Sequence, residues 1–454
     1  MRVSTTIDVP RWIDARKLSP IQLTVFTLCF LMSALDGFDA QVMGYVAPAI
    51  GREFHLHPEQ MGSVFASGLA GLLVGCLLIA PMADWLGRKK VLVGSALFFG
   101  LFSLATTQAS GFESLLLLRF ITGLGLGGAM PNGIALTAEY LPANRRAAWT
   151  MAMFVGFPVG ATIGGLIAAP LIPAYGWQII FWIGGVLPIL FAGVMLVGLP
   201  ESIRHLVTRG EQPQAVRAIL ARIDKTTLIP ADARFVINEE KYPGLTVSHL
   251  FSGNRALGTV LLWVIFFMSL LDIFFISSWL PTVLSSAGMA ESSAVIATAM
   301  VQGGGVVTSL LVGRWVDRFG FFVILTPLYL LAAVSIVCLG QPGLPVGVIM
   351  AAAALSGAGI VGGQTAVNVL AAVYYPTFMR ATGVGWGLGI GRIGSIVGPV
   401  IGGMLIARHW GNNDLFLAAA LPALAAALAT VLMAVTNGKR VSAMQADAAV
   451  VVSH

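Results

Sequence analysis

The sequence predicts an all-α membrane protein built as two six-helix bundles, with about 12 transmembrane helices in all. Three observations carry that expectation: a composition too apolar for water, recurrent apolar runs of spanning length, and two halves that repeat each other's loops. Of 454 residues, 57% are hydrophobic and only 10% are charged. That leaves too little polar surface for a soluble chain of this size.

A helix needs about 20 apolar residues to cross a hydrocarbon core of about 30 Å. Such runs fall at residues 21–43, 60–81, 91–108, 113–137, 147–170, 177–199, 256–280, 292–313, 321–339, 343–372, 381–406 and 412–436. Only helices and closed barrels satisfy the backbone inside lipid, and these runs are continuously apolar rather than alternating, which excludes an outer-membrane barrel. The chain divides into an N-terminal tail (1–20), a first bundle (21–199), a polar linker (200–255), a second bundle (256–436) and a C-terminal tail (437–454).

The net charge of +6 invites a nucleic-acid reading, but the placement of the basic residues rejects it. The two tails, the linker and alternate short loops hold 22 of the 26 Lys and Arg, whereas loops on the other side hold only Arg52 and Arg408. By the positive-inside rule both termini and the linker are expected in the cytoplasm of a bacterial-type cell, with the spans in its inner membrane. The first twenty residues lack an apolar core followed by a small-residue cleavage site, so no removed signal peptide is expected. Within the linker, Glu201 to Arg209 and Gln214 to Arg222 read as short amphipathic helices lying along the membrane face.

Chemistry of other kinds finds no residues to carry it. Cys29, Cys76 and Cys338 lie inside spans and form no CxxC pair, and the six histidines show no ligand spacing, so no metal site is expected. There is no GxxxxGK[ST] loop to cradle a nucleotide, and no nucleophile–base constellation, so the chain does not read as an enzyme.

The loop after the second span reads Ala80-Pro-Met-Ala-Asp84-Trp-Leu-Gly87-Arg88-Lys89, and the loop after the eighth reads Gly313-Arg-Trp-Val-Asp317-Arg-Phe-Gly320. Their aspartates lie 233 positions apart. Tyr140-Leu-Pro142 with Arg146 recurs as Tyr374-Tyr-Pro376 with Arg380, at an offset of 234. Gly156, Gly160, Gly164 and Gly165 share their spacing with Gly394, Gly398, Gly402 and Gly403. A duplication of one six-helix unit accounts for all three.

The loop motif at Asp84, Gly87 and Arg88, with its weaker copy at Asp317, resembles the signature of the major facilitator superfamily over essentially the whole chain. Ala80 and Trp85 stand where that signature usually has glycine and arginine. The fold this implies is the major facilitator fold, two bundles related by a parallel repeat with the cargo site near the midplane. Within it, Leu35-Asp36-Gly37-Phe38-Asp39 is similar to the aromatic acid:proton symporter family, which carries Asp-Gly-x-Asp there. Arg119 to Gly127 with Met130-Pro-Asn132, Leu199-Pro-Glu-Ser202, and Arg380-Ala-Thr-Gly383 leading to Arg392 add to the likeness.

The resemblance implies uptake of an aromatic carboxylate of the 4-hydroxybenzoate, protocatechuate, benzoate, gallate or hydroxyphenylpropionate type. Protons would be the coupling ion, with no cofactor, lipid as surroundings and a monomer as the working unit. Two rivals follow. The glycine series is related to one found in drug-efflux antiporters of the superfamily, and a sensor of the same acids is a rival of another class, though the linker is too short for a sizeable signalling domain.

Charge inside lipid is costly, so Asp36, Asp39, Arg119, Asp272 and Arg392 each need an account. Asp36 and Asp39 share a helix face, and Asp36 lies ~22 Å from the inner end of its span, a depth Arg119 also reaches. A carboxyl in a dry cavity tends to hold a proton and an arginine beside it tends to release it. Asp36 and Asp39 are therefore assigned to proton coupling, with Arg119 as modulating partner. Arg392, near the bilayer centre, has the planar fork that suits a carboxylate and is the expected anchor of the cargo anion. Phe38, Asn132, Trp386, Gln364 and Asn368 are candidate pocket walls, and Asp272 is a possible counter-ion. Asp84, Gly87, Arg88 and Asp317 are expected to form a gating charge relay that locks the outward-facing state.

Overall fold

The computed structural model describes residues 6–210, 213–227, 229–230, 233–238, 247–376 and 379–453. Among them twelve helices are long and apolar enough to cross a membrane. The N-terminal half contains α1 (Pro20–Glu53), α2 (Pro58–Leu86), α3 (Arg88–Thr106), α4 (Phe112–Tyr140), α5 (Ala143–Tyr175) and α6 (Gln178–Gly198). The C-terminal half contains α7 (Ala256–Ser286), α8 (Glu291–Phe319), α9 (Phe321–Leu339), α10 (Val346–Tyr374), α11 (Thr382–Ala407) and α12 (Asn412–Gly438). With an even number of spans, both tails and the linker share one face, here the linker face, opposite a far face.

The helix starts are written locally. Ser19 precedes Pro20, and Gln22 Oε1 accepts the Ser19 N–H at 2.7 Å; His57, Pro58 and Gln60 repeat the device, with the His57 N–H donating at 3.0 Å. α1 runs past the expected limit at residue 43 to Glu53, through Pro48, because Val46, Ala47 and Ile50 stay buried beyond it. At 1.5 Å per residue it is about 51 Å long, so its ends stand outside the hydrocarbon layer.

α2 and α8 both end on a glycine in a region closed to other residues, Gly87 at φ 97° and Gly320 at φ 85°, so the repeat seen in sequence is also a repeat of turns. The two differ in what surrounds them. The space a Gly87 side chain would need holds the Glu201 carboxylate, whereas around Gly320 it is open. Gly87→Val is therefore expected to lower the thermal stability of detergent-purified protein well beyond Gly320→Val, which carries only the backbone strain of about 1–3 kcal/mol. Equal losses in a melting assay would contradict the Glu201 contact.

The core shows which way the molecule is open. One apolar cluster joins the halves, with Val42, Tyr45 and Phe65 from the first and Phe275, Trp279 and Val301 from the second. Nearer the linker face the core separates into two clusters, one wholly of residues up to Phe235 and the other wholly of residues from Val247 onward. The bridging contacts lie toward the far face. The Phe65 and Trp279 rings meet edge to face at 5.2 Å, and Arg52 Nη2 reaches Glu291 Oε2 at 2.6 Å. The halves are thus sealed at the far face and parted at the linker face.

The linker up to Val236 is physically part of the N-terminal half, whereas Val247, Leu250 and Phe251 pack with the C-terminal half. Strand β1 (Thr6–Asp8) pairs in parallel with β2 (Arg234–Val236), and Arg16 Nε bonds Asp224 Oδ2 at 3.1 Å while its guanidinium lies 3.5 Å over the Trp12 ring. The expected membrane-surface helix appears as Pro213–Ile223, but its Val216, Ile219, Leu220 and Ile223 are buried against the N-terminal half, not laid on lipid.

Candidate functional site

Two carboxyls and a guanidinium come together inside the N-terminal half. Asp36 and Asp39 of α1 and Arg119 of α4 are buried, at 1%, 4% and 3% exposure. Arg119 Nη1 stands 3.3 Å from Asp39 Oδ2, and Nη2 donates to Thr122 Oγ1 at 2.9 Å and Thr106 Oγ1 at 3.4 Å. The Phe181 ring centre lies 4.9 Å from the guanidinium carbon. Helices α1, α3, α4 and α6 therefore all hold this one arginine, and a charge so held is a fixed part of the bundle.

Asp36 has a different neighbour. Three residues along a helix turn a side chain by about 60°, and Asp36 lies within electrostatic reach of Arg392 on α11, as does Cys76 of α2. Arg392 is half-buried and makes no ion pair or side-chain hydrogen bond among the described residues. Asp36 Oδ1 and Asp39 Oδ1 are likewise buried without a hydrogen bond. The site thus has a neutralised end, Asp39 with Arg119, and an unsatisfied end where Asp36 and Arg392 come from opposite halves.

A small cavity sits at the neutralised end, lined by Asp39, Arg119, Gly68 and Leu72 together with Phe274 and Ser278 of α7. Its volume of about 40 Å³ admits water. A benzene ring occupies a cavity of about 150 Å³. This end has room for water but not for an aromatic ring.

The expected pocket walls divide. The Phe38 ring fills the space left by Gly164 of α5 and Gly184 of α6, within the apolar cluster that joins the halves. Asn132 Nδ2 donates to Gly128 O at 2.8 Å and Ala80 O at 3.3 Å, tying α4 to the end of α2. Gln364 Nε2 donates to Asn368 Oδ1 at 3.2 Å, leaving Gln364 Oε1 without a partner. Trp386 is 43% exposed and stacks on Trp263 of α7, with ring centres 6.0 Å apart. The glycine series has a packing role: Gly160 brings α5 onto the α1 backbone at Ala34, and Gly165 meets Ala299 of α8.

The relay expected of Asp84, Arg88 and Asp317 is not formed. Asp84 and Asp317 are exposed, each in its own half, and Arg88 Nη1 pairs with Glu139 Oε1 at 2.7 Å. Glu139 Oε2 accepts the Ser202 hydroxyl at 2.6 Å, while Glu201 Oε1 accepts the Lys89 and Ser202 N–H groups at 3.0 and 2.8 Å. Sequence reasoning gave Glu139 and Glu201 no role. Glu201 was visible only as part of Pro-Glu-Ser, and Glu139 has no copy, because the 234-residue offset places Val373 opposite it. Asp272 is fully buried but is no counter-ion here, since no ion pair or hydrogen bond reaches either oxygen among the described residues.

Comparison with known proteins agrees with this geometry. The Major Facilitator Superfamily profile matches residues 29–399 and, a second time, residues 262–448, the latter within the repeated half. The chain is 40% identical to a 4-hydroxybenzoate transporter of Pseudomonas aeruginosa, over 94% of this chain and 95% of that one. It is also 40% identical to a gallate transporter of Pseudomonas putida, with the same coverage of each. Among solved structures, a D-xylose-proton symporter superposes with a TM-score of 0.65 at 17% identity, over 88% of this chain and 96% of that one, a likeness of fold. The chain is a multi-pass membrane transporter, not an enzyme, and belongs to the aromatic acid:proton symporter family of the major facilitator superfamily.

Proposed function

We propose that the protein imports an aromatic carboxylate together with protons, by rocking its two halves about the space between Asp36 and Arg392. The observation that carries this reading is Arg392, a permanent cation near the midplane that makes no ion pair or side-chain hydrogen bond among the described residues. A planar guanidinium in that position fits a carboxylate with two parallel hydrogen bonds. The names of the relatives at 40% identity support an aromatic ring on that carboxylate.

Coupling follows from the shared neighbour. With Asp36 ionised, Arg392 faces a carboxylate of the protein, and a cargo anion must compete with it. With Asp36 protonated, Arg392 is free to bind the cargo. Proton and cargo therefore occupy the site together and move in the same direction. Asp39 with Arg119 keeps a fixed pair beside the water-sized cavity, through which a proton can reach Asp36.

Sidedness rests on the charge of the loops. The linker face carries the basic loops, which supports a cytoplasmic position for it and both termini, with the spans in the inner membrane of a bacterial-type cell. The structure is then the cargo-releasing form, closed outside and open inside. The Arg88–Glu139 pair lies within one half, as expected when the cytoplasmic ends are apart.

The test is uptake of labelled 4-hydroxybenzoate into proteoliposomes with an imposed inward proton gradient, challenged with other aromatic acids, sugars and drug cations. Accumulation that needs the gradient and yields only to aromatic acids is expected. Gradient-independent uptake, or competition by sugars or drug cations, would overturn the reading.

A further inference from the structure

The repeat that relates the halves also relates their charged sites, and it does so unequally. The 233-residue offset between Asp84 and Asp317 carries Asp36 onto Ser269 and Asp39 onto Asp272. The 234-residue offset of the Pro142 and Pro376 loops carries Arg119 onto Ala353 and Thr122 onto Ser356. The second half has kept the inner carboxyl of the pair and lost the arginine that answers it. Ser356, with no guanidinium to support, donates instead to Ala353 O at 2.8 Å.

Asp272 is 0% exposed, Ser269 1% and Tyr329 0%. Both Asp272 oxygens are buried without a hydrogen bond, and Tyr329 on α9 lies close to Ser269 and within electrostatic reach of Asp272. A carboxyl with both oxygens unsatisfied in a dry place is rare in a folded protein. No charged side chain comes to this depth from α8, α9, α10 or α12, whose charges sit toward the helix ends. On α11 Arg392 acts on Asp36, and on α1 Asp39 is held by Arg119. An uncompensated carboxylate is not tolerated in such surroundings, but a carboxylic acid is. Two residues further along α7, Phe274 lines the cavity beside Asp39, so the helix carrying Asp272 is one of those that part when the halves rock.

We propose that Asp272 is a second proton-carrying carboxyl of the transport cycle, the C-terminal counterpart of Asp39 freed from its arginine. In the far-face-closed form it holds its proton. When α7 shifts in the opposite form, the Asp272 O–H bond breaks and the proton passes to water entering between the halves; uptake of a proton from that water restores the acid. The chain then carries one proton through Asp36 and one through Asp272 for each cargo. This rests on the symport reading above.

The experiment measures proton flux and labelled 4-hydroxybenzoate flux in the same proteoliposomes, for the unaltered protein and for Asp272→Asn. Asparagine mimics the protonated acid, so cargo counterflow without a gradient is expected to persist while the proton-to-cargo ratio falls by one. An unchanged ratio with normal counterflow overturns the inference, whereas absence of coupled flux in the unaltered protein overturns the symport reading itself. If Asp272→Asn does not reach the membrane, Asp272→Glu and Tyr329→Phe carry the test. Asp272→Glu keeps a titratable group and is expected to retain the ratio. Tyr329→Phe alters the surroundings of the carboxyl and is expected to shift the pH of half-maximal accumulation. A pH profile identical to that of the unaltered protein overturns the inference.

Discussion

Arg392→Ala is expected to abolish accumulation of aromatic acids and to weaken their binding by about 30-fold or more, from the roughly 2–5 kcal/mol lost when one partner of a buried charge pair is truncated. The protein itself should tolerate the change. Arg392 makes no ion pair or side-chain hydrogen bond among the described residues, so its removal breaks none there. It also leaves Asp36 without its nearby cation, which favours the neutral acid there and spares the bundle a lone charge. Membrane level and melting temperature are expected to stay close to those of the unaltered protein while equilibrium binding collapses. Arg392→Lys separates charge from shape: it keeps the positive point but not the planar fork, so partial binding with poor discrimination among carboxylates is expected. Wild-type binding by Arg392→Ala in equilibrium dialysis would remove Arg392 from the cargo site.

The fold was legible in the sequence because lipid leaves few choices. A backbone in hydrocarbon must form helices, a helix must be about 20 residues long to cross, and a duplicated unit repeats its loops at nearly constant offset. The charges of the site were legible for the same reason, since Asp36, Asp39, Arg119, Asp272 and Arg392 stand out against apolar runs. Their pairing was not. Two acids three residues apart share a face loosely, and the helix turn between them sends one to an arginine of its own half and the other toward the opposite half.

Other contacts were hidden because their partners are distant in sequence. Phe38 sits in the first bundle because glycines on α5 and α6 leave room for its ring, which nothing near residue 38 reveals. Asn132 is drawn to Ala80 O by the way α4 leans on the end of α2. The Arg88–Glu139 pair was hidden among many loop charges, where a favourable pairing looks like any other until helix ends are placed. The linker helix had the pattern of a membrane-surface helix, and its apolar side found protein in place of lipid.

The second large effect concerns Asp36. Asp36→Asn is expected to leave cargo exchange between loaded vesicles nearly intact while lowering the number of protons moved per cargo by one, and with it the accumulation that a proton gradient can drive. Asparagine presents a neutral side chain at all pH values, so Arg392 is permanently free for the cargo anion, and the carrier can shuttle loaded in both directions without taking up the Asp36 proton. Uptake should then lose the share of its response to an imposed pH difference that the Asp36 proton supplies. Asp39→Asn should behave otherwise, because it strands Arg119 in the bundle with only Thr106 and Thr122 as partners. Breaking a buried pair by removing one member costs about 3–5 kcal/mol, so loss of folded protein is expected before any change of coupling can be read. Replacing both members, Asp39→Asn with Arg119→Gln, removes the stranded charge and should restore much of the stability. If Asp36→Asn still accumulates cargo up to the limit set by the proton gradient, the coupling proton does not travel on Asp36. If Asp39→Asn proves as stable as the unaltered protein, Arg119 is not the fixed partner that its four surrounding helices make it.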